Sequence, residues 1–289
     1  MVFRTPLCDL LGIKFPIVQA PITSTVDLAL AVADAGALGM VQVYCNRPEQ
    51  TIATMRRIAG RSIGVNIVLK WPQEERLQVA LEHGARVVSF FWGDPSPMVE
   101  RVHEAGGIVL HTIGSVEEAK RSEAAGVDVI VAQGVEAGGH VWGHVSTLVL
   151  VPAVVDAVSV PVIAAGGIAD GRGVAAVLML GAQAAWLGTR FVASSEAPHL
   201  YKERVVAAAE TDTAYSTIFS IGWPDSPHRT IINDAVRIGE TRSDDVPQSE
   251  SELETAALYA GQSSGLVHDI APAGELVRRI AAEAEKLLA

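Results

Sequence analysis

The 289-residue sequence predicts an α/β fold: a closed (β/α)8 TIM barrel with a small, mainly helical insertion between the last strand and the C-terminal helix. Three observations lead there. A helical segment ending in glycine and followed by a short apolar strand recurs along the chain. Eight such strands can be placed, alternating with helices. The length also suits the roughly 250 residues that one barrel core needs.

In order, the strands lie in PIVQAP (16–21), ADAGALGMVQV from 33, SIGVNIV (62–68) and EHGARVVSFFW from 82. HEAGGIVLHTI from 103, EAAGVDVIVAQ from 123, VPVIAAGG (160–167) and LMLGAQAAWLGTRF from 178 complete the eight. Gly36, Gly84, Gly106, Gly126 and Gly181 stand where a helix would end on a left-handed residue. The apolar runs after them are too continuous for half-exposed antiparallel strands, so both faces should be buried. A doubly wound sheet also alternates, but no strong GxGxxG follows the first strand, which favours the barrel.

The alternation weakens after Phe191. Residues 196–259 hold polar and acidic segments without a clear strand and are assigned to a helical insertion or lid. Residues 1–195 and 260–289 make the barrel. The C-terminal ELVRRIAAEAEKLLA is amphipathic and fits an outer helix.

Composition narrows the function classes. With 49% apolar and 19% charged residues, the chain can bury a large core. A net charge of −11 argues against nucleic acid or an anionic membrane as the main partner. Cys8 and Cys45 form no CxxC or Cys/His cluster and read as small core residues, so no metal site is expected. The N-terminus lacks an uninterrupted apolar signal-peptide core, and Pro152, Asp156 and Pro161 break the most apolar stretch. A cytoplasmic location is the expectation.

Barrel active sites are built at the C-terminal ends of the strands. Here those ends bear amides, small residues and aromatics: Gln19-Ala20-Pro21, Gln42 to Tyr44, Asn66, Phe91-Trp92, His111-Thr112, Gln133, Gly166-Gly167 and Gly188-Thr189. No carboxylate pair, HxH or HExxH occurs among them, so two-carboxylate or metal hydrolysis is unsupported. Gly166-Gly167, with Asp170 as the cap of the next helix, and Gly188-Thr189 fall in the seventh and eighth units. These are the units that commonly hold phosphate through main-chain N–H groups.

The segment QGVEAGGH (133–140) ends the sixth strand in two glycines and a histidine. Together with QAPI (19–22), GVNIV (64–68), AAGGIADGRG (164–173), LGTRF (187–191) and YAGQSSG (259–265), it resembles the nitronate monooxygenase family of FMN-dependent barrels. The likeness runs from about residue 5 to 270 and includes EAPHLYK and PHRTIIN in the insertion.

The resemblance implies that Gly167, Gly188 and Thr189 hold the FMN phosphate, with Gly166, Trp186 and Leu187 in the same matched segments. Asn66, Gln133 and Gly138 would contact the ribityl chain or flavin ring. Ala20-Pro21 would run beneath the ring with Ile22 adjoining, Gly139 would clear space for it, and Gln262 enters with YAGQSSG. His140 would be the catalytic base or the group that orients substrate. The implied activity is oxidation of alkyl nitronates, and in some members nitroalkanes, by O2 to a carbonyl compound and nitrite. The implied partners are a small-molecule substrate and O2, and a homodimer stays open. Two positions depart from the family pattern: Ile22 replaces a frequent methionine and Trp186 a frequent glutamine, so substrate identity stays open while Trp186 still offers its main chain.

An imidazole suits proton abstraction beside a nitro group, since it titrates near neutral pH. Glu136 is expected to orient the loop or a helix N-terminus rather than move protons. His144 is a weaker second base, His111 a core histidine, and His83 and His103 ordinary helix-end residues. Trp92 and Trp142 suit either the pocket wall or core packing. The alternative activity on this scaffold is an FMN-dependent NAD(P)H reductase acting on enoyl-acyl carrier protein or a quinone. A barrel that has lost its chemistry and a flavin-free sugar-phosphate enzyme are the other readings. An IMP dehydrogenase-like mechanism lacks its cysteine here.

Overall fold

A computed structural model describes residues 3–23 and 25–289. The eight predicted strands are all present. They are β1 (Ile17–Gln19), β2 (Gly39–Gln42), β3 (Ile63–Val68), β4 (Val87–Phe91), β5 (Ile108–Ile113), β6 (Val129–Gln133), β8 (Val162–Ala165) and β9 (Ala184–Leu187). A two-residue strand, β7 (Gly139–His140), interrupts the series in the sixth loop. The barrel strands are parallel in the order β1-β9-β8-β6-β5-β4-β3-β2. A parallel bridge from Val18 to Leu38 joins the two ends and closes the barrel.

The five helix-ending glycines all have positive φ, between 72° at Gly106 and 96° at Gly36 and Gly181. Each thereby turns the chain from an outer helix into the next strand. The outer layer comprises α2 (Asp27–Asp34), α3 (Pro48–Ile58), α4 (Glu74–Glu82), α5 (Ser96–Glu104), α6 (Val116–Ala124), α7 (Thr147–Val155), α8 (Gly171–Met179) and α12 (Ala273–Leu288). Asp170 caps α8 as expected, its carboxylate accepting from Gly173 N at 3.0 Å. In α12, Leu276, Val277, Ile280 and Ala284 turn inward, as an amphipathic outer helix requires.

Two cores follow from the period-two alternation of strands. The larger fills the space between strands and helices. The smaller fills the barrel itself with Val18, Met40, Leu110, Val131, Ile163 and Trp186. The N-terminal α1 (Pro6–Leu11) closes its base with Leu7, Cys8 and Leu11.

The insertion differs from expectation. It contains the short helices α10 (Lys202–Ala207) and α11 (Asp234–Ile238), but also β10 (Thr213–Ser216), β11 (Phe219–Ile221), β12 (His228–Ile231) and β13 (Arg242–Ser243). It is therefore mixed rather than mainly helical. Strands of two to four residues, half of them polar, show no readable periodicity. β12 runs antiparallel both to β10, within the insertion, and to the distant β7. A single turn, α9 (Thr189–Val192), follows β9.

Candidate active site

The C-terminal ends of the strands open onto a cavity of about 930 Å³. That is the upper part of the range for small-molecule and cofactor sites, ample for a dinucleotide-free cofactor plus substrate. Ala20, Pro21 and Ile22 reach it from the end of β1, Asn66 from β3, and Gln133 from the end of β6. Gly138, Gly139 and His140 come from the sixth loop, and Gly166, Gly167, Trp186, Gly188 and Thr189 from β8, β9 and their loops.

Leu187 and Gln262 are not brought to the cavity. Trp186 points into the barrel, so its neighbour Leu187 must point out into the helix layer, where it is fully buried. It serves the site only through its carbonyl, which accepts from Ala20 N at 2.8 Å. The Gln262 side chain is exposed, and its N–H donates to Glu136 O at 3.0 Å.

His140 is held from several directions. Its backbone lies in β7, opposite His228 of β12, and Gln133 Nε2 donates to its carbonyl at 3.1 Å. Gln133 Oε1 accepts from Trp142 N at 3.2 Å, so this amide braces the loop in addition to facing the cavity. The His140 ring stacks on Trp223 at 3.9 Å and 26°, with Trp92 and Tyr259 against it at 6.0 and 5.4 Å. Its Nε2 has no hydrogen-bond partner among the described residues. Burial, helped by His228, pushes the imidazole down to about 3, so the ring is neutral at working pH. The neutral ring lines the cavity, while its Nε2 is buried against the protein.

His228 is fixed in turn. Its Nδ1 donates to Ser226 O at 2.9 Å, and its Nε2 accepts from Phe219 N at 3.2 Å.

The two glycines before His140 have different reasons. A Cβ on Gly138 would stand 2.3 Å from Gly261 N and 2.4 Å from Ala260 C, both main-chain atoms. Gly138 is therefore demanded by the 259–265 segment packed against it. Gly139 has open space around it but φ of +76°, the left-handed turn that starts β7. Neither glycine needs a flavin to explain it.

The glycines after β8 and β9 present main chain to the cavity. Among the described residues, no protein acceptor takes the N–H groups of Gly166, Gly167 or Gly188. A Cβ on Gly167 would meet nothing nearer than Glu136 Cβ at 3.7 Å, and one on Gly188 nothing nearer than Ala20 Cβ at 3.6 Å. A side chain at either place would occupy the cavity rather than collide with its wall. Thr189 Oγ1 accepts from Gly261 N at 2.9 Å, tying this end to the 259–265 segment.

Glu136 behaves as expected of a structural carboxylate. Its two oxygens accept from Thr147 N at 3.1 and 3.0 Å, and Thr147 Oγ1 donates to one at 3.1 Å, satisfying the N-terminus of α7.

Other candidates fall elsewhere. His144 is exposed and meets Tyr215 OH at 3.4 Å, away from the cavity. His111 is buried with Nδ1 on Ser122 Oγ at 2.7 Å, and burial lowers it to about 4. Trp92 and Trp142 pack at 4.5 Å and line a smaller cavity of about 580 Å³, not the main one. Cys8 is a core residue, but Cys45 is exposed on the cavity wall, contrary to expectation.

Sequence reasoning missed Trp223, Tyr259, His199 and the Asp244–Gln248 segment, all cavity-lining. The segment WPDSPHRT (223–230) lies in the insertion, whose polar segments show no clear strand. Only its pairing with β7 reveals that its tryptophan reaches His140.

A closed parallel barrel whose strand ends open onto one cavity lined by a neutral histidine and by glycines with unpaired N–H groups fits the class of cofactor-binding barrel enzymes. The sequence profile of the nitronate monooxygenase family matches residues 69–283. The chain belongs to that family of FMN-dependent oxidoreductases. It is 35% identical over 254 residues to an octahydroindene-carboxyl-CoA dehydrogenase of Mycobacterium tuberculosis, covering 84% of this chain and 70% of the relative. Among solved structures, FabK of Thermotoga maritima superimposes with a TM-score of 0.90 at 34% identity, over 99% of this chain and 98% of that one. A nitroalkane oxidase of Streptomyces ansochromogenes does so at 0.85 and 31%, over 97% and 98%. Among the described residues no helix is long and apolar enough to cross a membrane.

Proposed function

We propose that the chain binds FMN in this cavity and oxidises alkyl nitronates, and nitroalkanes that it first deprotonates, with O2. The observation that carries the reading is the neutral imidazole of His140 lining a cavity that is also lined by glycines with unpaired N–H groups. Those groups, at Gly167 and Gly188, would hold the phosphate, with the Thr189 hydroxyl beside them. Ala20, Pro21 and Ile22 would support the ring, and Asn66 would approach it from β3. The flavin would supply the electron transfer and oxygen chemistry that no side chain here can perform. Overall, two nitronate anions and one O2 give two carbonyl compounds and two nitrite ions, which balances without another reductant.

For a neutral nitroalkane, His140 takes the proton from the carbon bearing the nitro group. For a pre-formed nitronate, it need only orient the anion. His140→Ala should therefore lose activity on the neutral compound far more than on nitronate. Equal losses on both would remove the base assignment.

A second reading, reduction of FMN by NAD(P)H, is favoured by the near-complete superposition on FabK. Anaerobic mixing separates the two. Bleaching of the flavin by nitronate but not by NADH or NADPH supports the oxidase reading. Rapid bleaching only by a nicotinamide supports the reductase, and a protein that cannot be loaded with FMN defeats both.

A further inference from the structure

We propose that the cavity carries an aromatic subsite, with Trp71 as its specificity-determining residue, which seats an aryl group at the remote end of the substrate; this rests on the nitro-compound reading above. Four of the chain's five tryptophans gather in one cluster with Tyr44, Val68 and Phe91. Of that cluster, Tyr44, Val68, Trp71, Phe91 and Trp223 line the main cavity. Tyr44 follows β2, Trp71 follows β3, Phe91 ends β4, and Trp223 belongs to the insertion.

Strand order sets this wall opposite the glycines. In the closed ring, β3 stands four places from β8, and β4 four places from β9. The aromatic rings and the glycines after β8 and β9 therefore occupy opposite sides of the cavity. His140, stacked on Trp223, adjoins the aromatic side. A substrate held beside that histidine meets the rings with its remote end.

The rings brace one another. Trp71 lies parallel to Tyr44, with 6.0 Å between centroids and 6° between planes, and meets Trp223 edge-on at 5.0 Å and 64°. Trp223 in turn meets Trp92 at 5.0 Å and 74°. Edge-to-face contacts fix ring orientation, so the surface is formed before a ligand arrives. Packing accounts for Trp92 and Trp223, which are buried, but it leaves Trp71 and Tyr44 half-buried in loops on the cavity wall. Apolar surface left in this way gains when a ligand covers it. Burial also pushes the Tyr44 phenol up to about 12, so it stays uncharged at working pH. An aryl group offers these rings both apolar area and a complementary face or edge. An alkyl chain offers area alone and loses rotamer freedom on binding.

The test uses FMN-loaded protein and the pre-formed nitronates of nitroethane, 1-nitrohexane and 2-phenylnitroethane at one pH, so that proton abstraction does not enter. We expect kcat/KM for the phenyl compound to exceed that for the ethyl compound by about thirtyfold, the scale of burying one aromatic ring. It should also exceed that for the hexyl compound severalfold. Trp71→Ala should remove most of the phenyl-to-ethyl ratio, and Trp71→Phe should keep most of it. A wild-type ratio near one, a hexyl compound equal to or better than the phenyl one, or a ratio indifferent to Trp71→Ala overturns the proposal.

A second arm does not depend on turnover: calorimetric titration of the same protein with 3-phenylpropionamide and with propionamide. Tighter binding of the phenyl amide that is lost in Trp71→Ala supports the subsite. Equal binding, or a preference that survives Trp71→Ala, overturns it. If none of the nitronates is oxidised while the Trp71-dependent preference holds, the nitro-compound reading fails and the aromatic subsite stands. If all three are oxidised with equal kcat/KM, the subsite fails and the nitro-compound reading stands.

Discussion

Replacing Trp223 by alanine tests whether the insertion controls His140, the proposed base. The indole is 2% exposed, stacks on His140 at 3.9 Å, and touches Trp71 and Trp92 at 5.0 Å. Truncating a buried tryptophan costs about 3–5 kcal/mol. Against a typical domain stability of roughly 5–15 kcal/mol, the variant still folds, with Tm lowered by roughly 10 °C. The functional effect has a different cause. Burial holds the His140 pKa at about 3, so wild-type activity should not lose this base anywhere between pH 8 and 5. Water filling the vacated site would raise the imidazole towards its ordinary 6.5. The protonated, inactive form would then accumulate as pH falls, and an acid limb should appear between pH 7 and 5. The assay is the pH profile of kcat/KM, and Trp223→Phe should restore most of the flat profile by keeping an aromatic face on the ring. A lowered Tm with an unmoved profile would refute the clamp and leave Trp223 as packing alone.

Further predictions concern neighbouring elements. Gly138→Ala forces a methyl into the main chain of Ala260-Gly261, so it should cost several kcal/mol in denaturant unfolding and lower FMN affinity as the 259–265 segment shifts. Gly167→Ala meets open space but takes a φ of +73°; it should lose only about 1–2 kcal/mol while weakening FMN binding at least tenfold by titration. Glu136→Gln weakens the α7 cap and should cost about 1 kcal/mol in Tm-derived stability, with little change in the pH profile. Acid titration of stability should show the histidines His111, His140 and His199, held by burial at about 4, 3 and 4. The unfolded chain takes up protons at 6.5 that the native state refuses, so stability is complete above that pH and falls from about 6.5 towards 4. Each contributes at most about 1.4 kcal/mol per pH unit, less for the two that line the cavity. A stability flat from pH 7 to 5 would contradict these burials.

The barrel was legible because its information is local. Glycines with positive φ at five helix ends, and apolar runs of strand length, recur within each βα unit. The position of the site followed from the strand ends, and most residues chosen there do meet at one cavity. Leu187 was misplaced because a motif match ignores the alternation that turns it outward beside Trp186. The insertion was misread because its strands are too short to show a period, and one of them, β12, also pairs with β7 about ninety positions away.

The chain alone therefore determined the barrel, its eight strands, the glycines at the seventh and eighth strand ends and the presence of a histidine at the sixth strand end. Only the tertiary structure decided what surrounds that histidine. His228 faces it across β12 and Trp223 covers it. The same fold leaves Asp244 and Asp245 on a cavity with no lysine or arginine among the described residues that line it. Backbone turns and apolar periodicity are written within a few neighbouring residues, whereas burial, charge environment and free hydrogen-bonding valence depend on which distant segments meet.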